Sequence, residues 1–557
     1  MFRALLDDYS GEMSLSENWA TLWEAIAANQ PDHVAVVIGD QEIRWRELDH
    51  RAACLASAFL AHGVGHDAKV AQLMYNCPEY LESAYASFKV RASTANVNYR
   101  YRAPEVIQIV ADSGAEVLIF HGCFSDVVAQ ARLSLPSLRV LIQVDSGDQT
   151  TLLDGAFDYE KIVQAFSPAA PIERSGDDTL LLYTGGTTGQ PKGVVWRHGD
   201  LFGALAFTGY ASQNIAVPQT AGEVGRVASE LNASGSSPCN MTAPPLMHGT
   251  ALFLAMSTFV LGGTVVLLRS RKFDPAELLT LVKRQRVSQL SIVGDAFARP
   301  IVAELERAEH DLQPYDLASL TRIVSTGATL SSPLKSALMQ RARNAAIIDM
   351  IGASEGGPFA LAITAPGQSA LETATFLATP STALFDPDTW ERIAPGTGRA
   401  GVLAASGPMP WGYHNDPVKS AQTFREIDGV RYTIPGDFAR IDADATVHLL
   451  GRGAACINTG GEKVYPEEVE VAARSHPDIE DCVVVGVDDD RFGQTVVLVA
   501  AARPGHTIDA QQVIQYVGDQ IAAYKAPRRV VVVDAVYRSP SGKADYRWAL
   551  DAATAEH

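Results

Sequence analysis

Short runs of β-branched and aliphatic residues recur along the chain, at Val34 to Ile38, Val70 to Met74, Val117 to Phe120, Val140 to Val144, Leu290 to Val293 and Arg322 to Ser325. Stretches with apolar residues at helical spacing lie between them. Continuous apolar strands alternating with such stretches are what a sheet covered on both faces requires, so the pattern predicts an α/β protein. From Gly249 to Leu268 twenty residues pass without a charge, long enough to cross a bilayer. Gly262 and Gly263 interrupt that run, which is therefore read as a buried helix over about Thr250 to Leu261, a glycine turn, and a strand at Thr264 to Leu268. Ala211 to Asn240, rich in Ala, Ser, Gly and Pro, reads as a surface excursion rather than a linker. After about Gly451 the pattern restarts, with strands near Cys482 to Val487 and Val496 to Ala501, a helix near Asp509 to Ala523, and a strand at Val530 to Val533. That is a small separate α/β domain, and no internal repeat or long low-complexity tract accompanies it.

Length and composition change the picture in three ways. A chain of 557 residues implies two or three packed units, and 47% hydrophobic with 20% charged residues is the balance of a globular enzyme. The net charge of -19 repels a phosphate backbone, so nucleic acid is excluded as a partner and any anionic ligand has to be held by a local cluster of donors. The six cysteines, Cys54, Cys77, Cys123, Cys239, Cys456 and Cys482, are scattered, with no CxxC pair, which fits reduced thiols in the cytoplasm. Asp7, Asp8 and Glu12 stand where an export signal needs a basic flank and an apolar run. A cytoplasmic protein with no transmembrane span is expected, with peripheral membrane contact and homodimer formation left open.

The candidate chemistry begins at Leu180-Leu-Leu-Tyr-Thr-Gly-Gly-Thr-Thr-Gly-Gln-Pro-Lys-Gly193, an apolar strand running into a loop of glycines, threonines and one lysine. Gly185, Gly186 and Gly189 let backbone N–H groups approach a polyphosphate, and Thr184, Thr187 and Thr188 add hydroxyl donors. It is not a Walker A loop, because Lys192 is preceded by Pro191 and followed by Gly193. Taken alone, a glycine-rich hairpin without a ligand would also account for it.

Six further segments follow in order. They are Pro245-Leu-Met-His248-Gly, Ser325-Thr-Gly327-Ala328-Thr329-Leu, Ile351-Gly352-Ala-Ser354-Glu355, Tyr432 to Asp437, Gly451-Arg452 with Gly460-Gly461-Glu462-Lys463-Val-Tyr-Pro466, and Pro540-Ser-Gly-Lys543. With the glycine-rich loop, this series resembles the adenylate-forming superfamily of acyl-CoA synthetases, firefly-type luciferases and peptide-synthetase adenylation domains, over nearly the whole chain. The resemblance implies a large N-terminal α/β domain of several subdomains, 1–450, and a small mobile C-terminal α/β domain, 451–557, with a hinge at 451–456. It implies ATP, Mg2+ and coenzyme A, and a carboxylic acid converted first to an acyl-adenylate and then to a thioester. By the same resemblance Lys543, Glu355, Thr188 and Lys192 are catalytic. ATP is bound by Thr184, Gly185, Gly186, Thr187, Thr188, Gly327, Ala328, Ile351, Gly352, Ser354, Asp437 and Arg452. Glu355 holds the metal, His248, Gly352 and Gly356 border the acyl pocket, and Thr459, Gly460 and Gly461 flank the CoA arm.

Four positions depart from the family pattern. Gly185 stands where serine is common, Ile351 replaces a tyrosine and leaves only aliphatic contact for an adenine, Asp437 is reached through Ile434-Pro435-Gly436, and Ala454 occupies a usually charged hinge position. His248 also reads as a hydrogen-bonded core histidine, Glu355 as a surface acid, Asp437 as a turn residue and Lys543 as a tail lysine. The segments Cys456 to Glu470 and Ser539 to Arg547 are similar to a bacterial branch acting on fatty acids and steroid side-chain acids. An adenylate-forming enzyme with another acceptor, and a non-catalytic acid-binding relative, are the other readings of the same residues.

Overall fold

The computed structural model of the chain describes residues 15–148, 150–184, 191–211, 213–369, 372–452, 455, 457–459, 462–489, 493–521, 523–539 and 542–555. Among these residues the strands form three sheets. The largest has a parallel half in the order Val34–Ile38, Thr264–Leu267, Cys239–Thr242, Gln289–Ile292, Arg322–Thr326 and Ala346–Ala353. Strand Gly356–Thr364 turns back antiparallel, and Thr375–Ala378, Thr446–Arg452, Asp437–Ile441 and Ala400–Ala405 continue the same sheet. The second sheet runs Gly412–Tyr413, Lys192–Arg197, Thr179–Thr184, Ser93–Asn96, Lys69–Leu73, Val117–His121, Val140–Val144 and Phe157–Asp158. It is parallel from Thr179–Thr184 onward; the apolar runs at Val70, Val117 and Val140 fall on its buried strands, and those at Val34, Leu290 and Arg322 on strands of the first sheet.

Helices Trp19–Asn29, Pro78–Lys89 and Gly249–Val260 contribute to the main core. Trp23 meets Tyr85 and Phe259 edge to face at 5.1 and 5.4 Å, and such aromatic pairs add about 0.5–1.5 kcal/mol each beyond the area they bury. The charge-free run is resolved as expected, into helix Gly249–Val260 and strand Thr264–Leu267. Gly262 adopts φ 65°, and a Cβ on Gly263 would lie 2.2 Å from the Pro238 carbonyl oxygen, so the turn between helix and strand needs both glycines. No helix among the described residues is long and apolar enough to cross a membrane.

The stretch from Ala211 to Asn240, expected as a surface excursion, instead contains a packed helix, Ala221–Ala233. Thr220 caps it, and Val224, Val227, Ala228 and Leu231 form a buried stripe at helical spacing. Gly225 lets it approach helix Trp19–Asn29 so closely that a Cβ there would sit 2.6 Å from the Ala25 carbonyl oxygen. Its small residues, which suggest a loop by composition, are what permit that approach.

The third sheet is built on the long antiparallel pair Ile479–Asp489 and Gly493–Ala502, with Arg529–Val533 parallel beside it. Its residues divide by parity. Val484 and Leu498 face helices Pro466–Arg474 and Ala510–Gln520, while Val483, Val497 and Val499 face helix Tyr546–Thr554. Two separate apolar clusters result, so this unit carries a core of its own, and the whole is a mixed α/β molecule with a large N-terminal and a smaller C-terminal part.

Candidate active site

The glycine-rich segment connects the two strands of a hairpin, Thr179–Thr184 and Lys192–Arg197, in which Thr184 faces Lys192. Gly185, Gly186, Thr187, Thr188 and Gly189 lie outside the described residues. Asn96, buried at the end of its parallel strand, accepts from the Tyr183 N–H at 2.6 Å and donates to the Tyr183 and Met247 carbonyls at 2.9 and 2.7 Å. One side chain thus ties the entry of the loop to the Pro245–Gly249 segment. The Tyr183 hydroxyl donates to Asp112 at 2.6 Å.

His248 stands at the start of helix Gly249–Val260, and its Nε2 is buried without a hydrogen-bond partner among the described residues. Burial, then the nearby Lys543 and Arg100 cations, push its pKa down to about 4, so the imidazole is neutral at pH 7. Hydrogen bonding at this nitrogen therefore does not explain a core role for it. Gly327 takes φ 91°, and a Cβ there would lie 3.5 Å from the Thr250 hydroxyl and 3.9 Å from Cε of Lys543. Lys543, more than two hundred positions further on, is thereby brought over the Ser325–Thr329 turn and beside His248.

Below that turn lies a buried ion pair. Lys335 Nζ, on helix Ser332–Arg341, is 2.8 Å from Asp349 on strand Ala346–Ala353, with side-chain exposures of 1% and 5%. Burial raises the Asp349 pKa to about 6 against the pull of Lys335.

Residues 354–355 turn between strands Ala346–Ala353 and Gly356–Thr364 and are held from three sides. The Trp196 indole donates to the Ser354 carbonyl at 2.9 Å, the Thr433 hydroxyl to the Glu355 carbonyl at 2.7 Å, and the Tyr413 hydroxyl to Glu355 Oε1 at 2.7 Å. Gly356, at φ 137°, leaves room for Thr433, whose Cγ2 would be 2.9 Å from a Cβ at that position. Ile351 is only 8% exposed and belongs to the core cluster with Phe359 and Leu403, which leaves little of it to meet an adenine; Gly352 beside it is open. Lys192 forms an ion pair with Asp416, which also caps helix Pro417–Thr423.

Asp437 opens strand Asp437–Ile441 rather than a turn, and Arg452 stands opposite it in the register. Helix Pro466–Arg474 docks at this point. Glu467 is half-buried with its Oε2 against Gly451, its Oε1 accepts from the Tyr546 hydroxyl at 3.1 Å, and desolvation followed by the neighbouring Glu470 pushes its pKa upward. A Cβ on Gly451, at φ 112°, would lie 1.8 Å from Glu467 Oε2. Gly451→Ala is expected to cost about 1–3 kcal/mol in torsional strain alone, with the clash in addition. Glu467→Ala in the same chain should relieve the clash but not the torsion, and thermal unfolding of the single and double variants measures both parts.

Thr459 is buried in the third sheet and paired with Glu462 and Gly493; Gly460, Gly461 and the expected hinge residue Ala454 lie outside the described residues. Lys543 sits in a turn closed by its own carbonyl, which accepts from Ser539 N–H at 2.9 Å, and by the Ser539 hydroxyl, which accepts from Lys543 N–H at 3.2 Å. A Cβ on Gly542 would be 2.8 Å from Cβ of Ala296, so this turn is pressed onto the first turn of helix Gly294–His310. The structure therefore gathers Lys543, Gly327 and His248, and separately sets Asp437 opposite Arg452. Asn96, Tyr413, Asp416 and Thr433 were not found from the sequence. An Asp followed by Pro at a helix start could have marked Asp416, and an asparagine inside an apolar strand could have marked Asn96.

The family model for AMP-binding enzymes matches residues 23–413, and that for the AMP-binding enzyme C-terminal domain matches 468–543. The chain is 38% identical to the medium-chain acyl-CoA ligase Mig of Mycobacterium avium, covering 95% of this chain and 97% of that one. It is also 38% identical to a 3-oxocholest-4-en-26-oate–CoA ligase of Rhodococcus rhodochrous, covering 96% and 95%. Among solved structures, the anthranilate CoA ligase AuaEII in complex with anthranoyl-AMP superposes with a TM-score of 0.80 at 23% identity, covering 97% of each chain. ATP-bound MatB from Rhodopseudomonas palustris does so with 0.76 at 23%, covering 96% of this chain and 99% of that one.

Proposed function

Because the chain belongs to the AMP-binding enzyme family, we propose that it is an ATP-dependent acid:coenzyme A ligase acting on hydrophobic acids of the fatty or steroid side-chain type. The observation that carries this reading is the placing of Lys543 over Gly327 and next to His248 and Thr250, where a carboxylate and an α-phosphate would have to meet. In the first step a carboxylate oxygen attacks the α-phosphorus of ATP, the bond to pyrophosphate breaks, and the acid is left as a mixed anhydride with AMP. In the second, the CoA sulfur attacks the acyl carbon, AMP departs, and the thiol proton passes to solvent. Both steps depend on charge placed in advance around the reacting atoms.

On this reading Lys543 neutralises the carboxylate and α-phosphate as they approach. Neutral His248, at the mouth of an apolar helix, borders the acyl chain with Gly352 and Gly356 without adding charge to a hydrophobic pocket. Asp437 takes the ribose hydroxyls, with Arg452 opposite it, and Gly327, Ala328, Ile351 and Ser354 border the base. Thr184, Gly185, Gly186, Thr187, Thr188 and Lys192 cradle the phosphates, and Thr459, Gly460 and Gly461 flank the CoA arm. Glu355 suits a hard divalent cation, since Tyr413 occupies one carboxylate oxygen and the other meets no described partner. Magnesium bound there would offset polyphosphate charge. Residues 451–557 are proposed to turn as a body against 1–450, about a hinge at 451–456, between the two steps.

The test is release of AMP and thioester, the latter by mass, across fatty, aryl and steroid acids. Equal amounts of both with fatty or steroid acids are expected. AMP without thioester would favour another acceptor, and tight acid binding without AMP a non-catalytic protein.

A further inference from the structure

One short segment contacts both Lys192, which follows the glycine-rich loop in sequence, and Glu355. Gly412–Tyr413 pairs antiparallel with Lys192–Arg197, Tyr413 opposite Val194, and the His414 N–H donates to the Gly193 carbonyl at 2.7 Å. Three residues past Tyr413, Asp416 holds Lys192. Tyr413 itself reaches across to the other sheet, where its hydroxyl donates to Glu355 Oε1 at 2.7 Å. The backbone around Glu355 has separate anchors, Trp196 on the Ser354 carbonyl and Thr433 on the Glu355 carbonyl. Among the described residues, the Tyr413 bond is the one that fixes the carboxylate as distinct from the turn that bears it.

We infer that Tyr413 is a positioning residue for the carboxylate of Glu355. By holding Oε1 it turns Oε2 toward the cation and fixes that oxygen relative to the strand leaving the phosphate loop. A free glutamate side chain samples several rotamers, and ordering it costs up to about 1.5–2 kcal/mol, which a cation binding there would otherwise have to overcome. Hydrogen bonds from outside the coordination sphere commonly change metal affinity or activity by about 10–100-fold when removed. The inference rests on the proposed metal role of Glu355 and adds the residue that aims it.

Tyr413→Phe removes the hydroxyl and leaves both backbone anchors in place, so folding should persist and a thermal midpoint checks this. The Mg2+ concentration for half-maximal pyrophosphate exchange should rise about tenfold, with a smaller loss at saturating Mg2+. Binding of Mn2+ in the presence of a non-hydrolysable ATP analogue, followed by electron paramagnetic resonance, should weaken by a similar factor. Thioester formation from a synthetic acyl-adenylate, which needs no cation at the phosphates, should stay near wild type. Unchanged Mg2+ and Mn2+ dependence in a folded variant would overturn the inference, as would equal loss of both half-reactions. Glu355→Gln separates the two ideas: if it too leaves metal binding unchanged, the metal role of Glu355 fails, whereas if it weakens binding and Tyr413→Phe does not, only the positioning role fails.

Discussion

Replacing Lys543 with alanine is expected to slow pyrophosphate exchange by about a hundredfold or more, while thioester formation from a synthetic acyl-adenylate proceeds at nearly the wild-type rate. The first effect follows from the position of the side chain. Its Cε passes within van der Waals reach of where a Cβ on Gly327 would stand, and its charge is felt by His248, so it is the cation that the C-terminal part presents to the proposed meeting point of carboxylate and α-phosphate. Removing one preorganised donor to developing charge typically costs about 2.7–4 kcal/mol of transition-state stabilisation. The second effect follows from the proposed turning of residues 451–557, which would carry Lys543 away before the thiol attacks. Both half-reactions are measured on one preparation, because overall turnover cannot separate them. Equal loss in the two would count against the rotation and leave Lys543 as a residue needed in a single fixed orientation.

Lys335→Met should destabilise the large domain by about 3–5 kcal/mol, the usual cost of leaving one member of a buried pair behind. Asp349 would keep its carboxyl at 5% exposure with the cation gone, and it would have to take up a proton or draw in water. Lys335→Met combined with Asp349→Leu should recover most of the loss, since apolar replacements for both members of a buried pair are often neutral or better. Urea unfolding of the single and double variants reads the difference. A single variant as stable as wild type would mean that the pair is solvated in a way its burial does not indicate.

Most of the fold could be read from the chain because its strands are buried on both faces, so that runs such as Val140–Val144 carry an uninterrupted apolar signal. The strand-to-loop step at Tyr183 and the glycine turn at Gly262 were legible for a related reason, since local backbone geometry selects the residues. Helix Ala221–Ala233 was misread because its small residues serve a close helix contact, and composition does not distinguish that from a loop. The candidate site could be proposed from the chain where a short local motif marks a single charged residue, as at Lys543 and Asp437. It was not legible where two distant residues meet. Tyr413 and Glu355 are separated by 58 positions, and their hydrogen bond depends on how the two sheets are juxtaposed, which no local spacing encodes. Ile351 illustrates a third case. A motif places it, while its packing around Phe359 decides which way it faces.

The division of these residues between sheets has a mechanical consequence. Thr326, the 354–355 turn and Asp437 ride on one sheet, whereas Thr184, Lys192 and Tyr413 ride on the other. Trp196 and Tyr413 stitch the two together at Ser354 and Glu355. In the proposed binding mode, with base and ribose on the first sheet and phosphates on the second, a nucleotide would span a seam whose width these stitches set. The pair of sheets would then act as a calliper, whose two jaws a ligand of the right length bridges without deforming the gap.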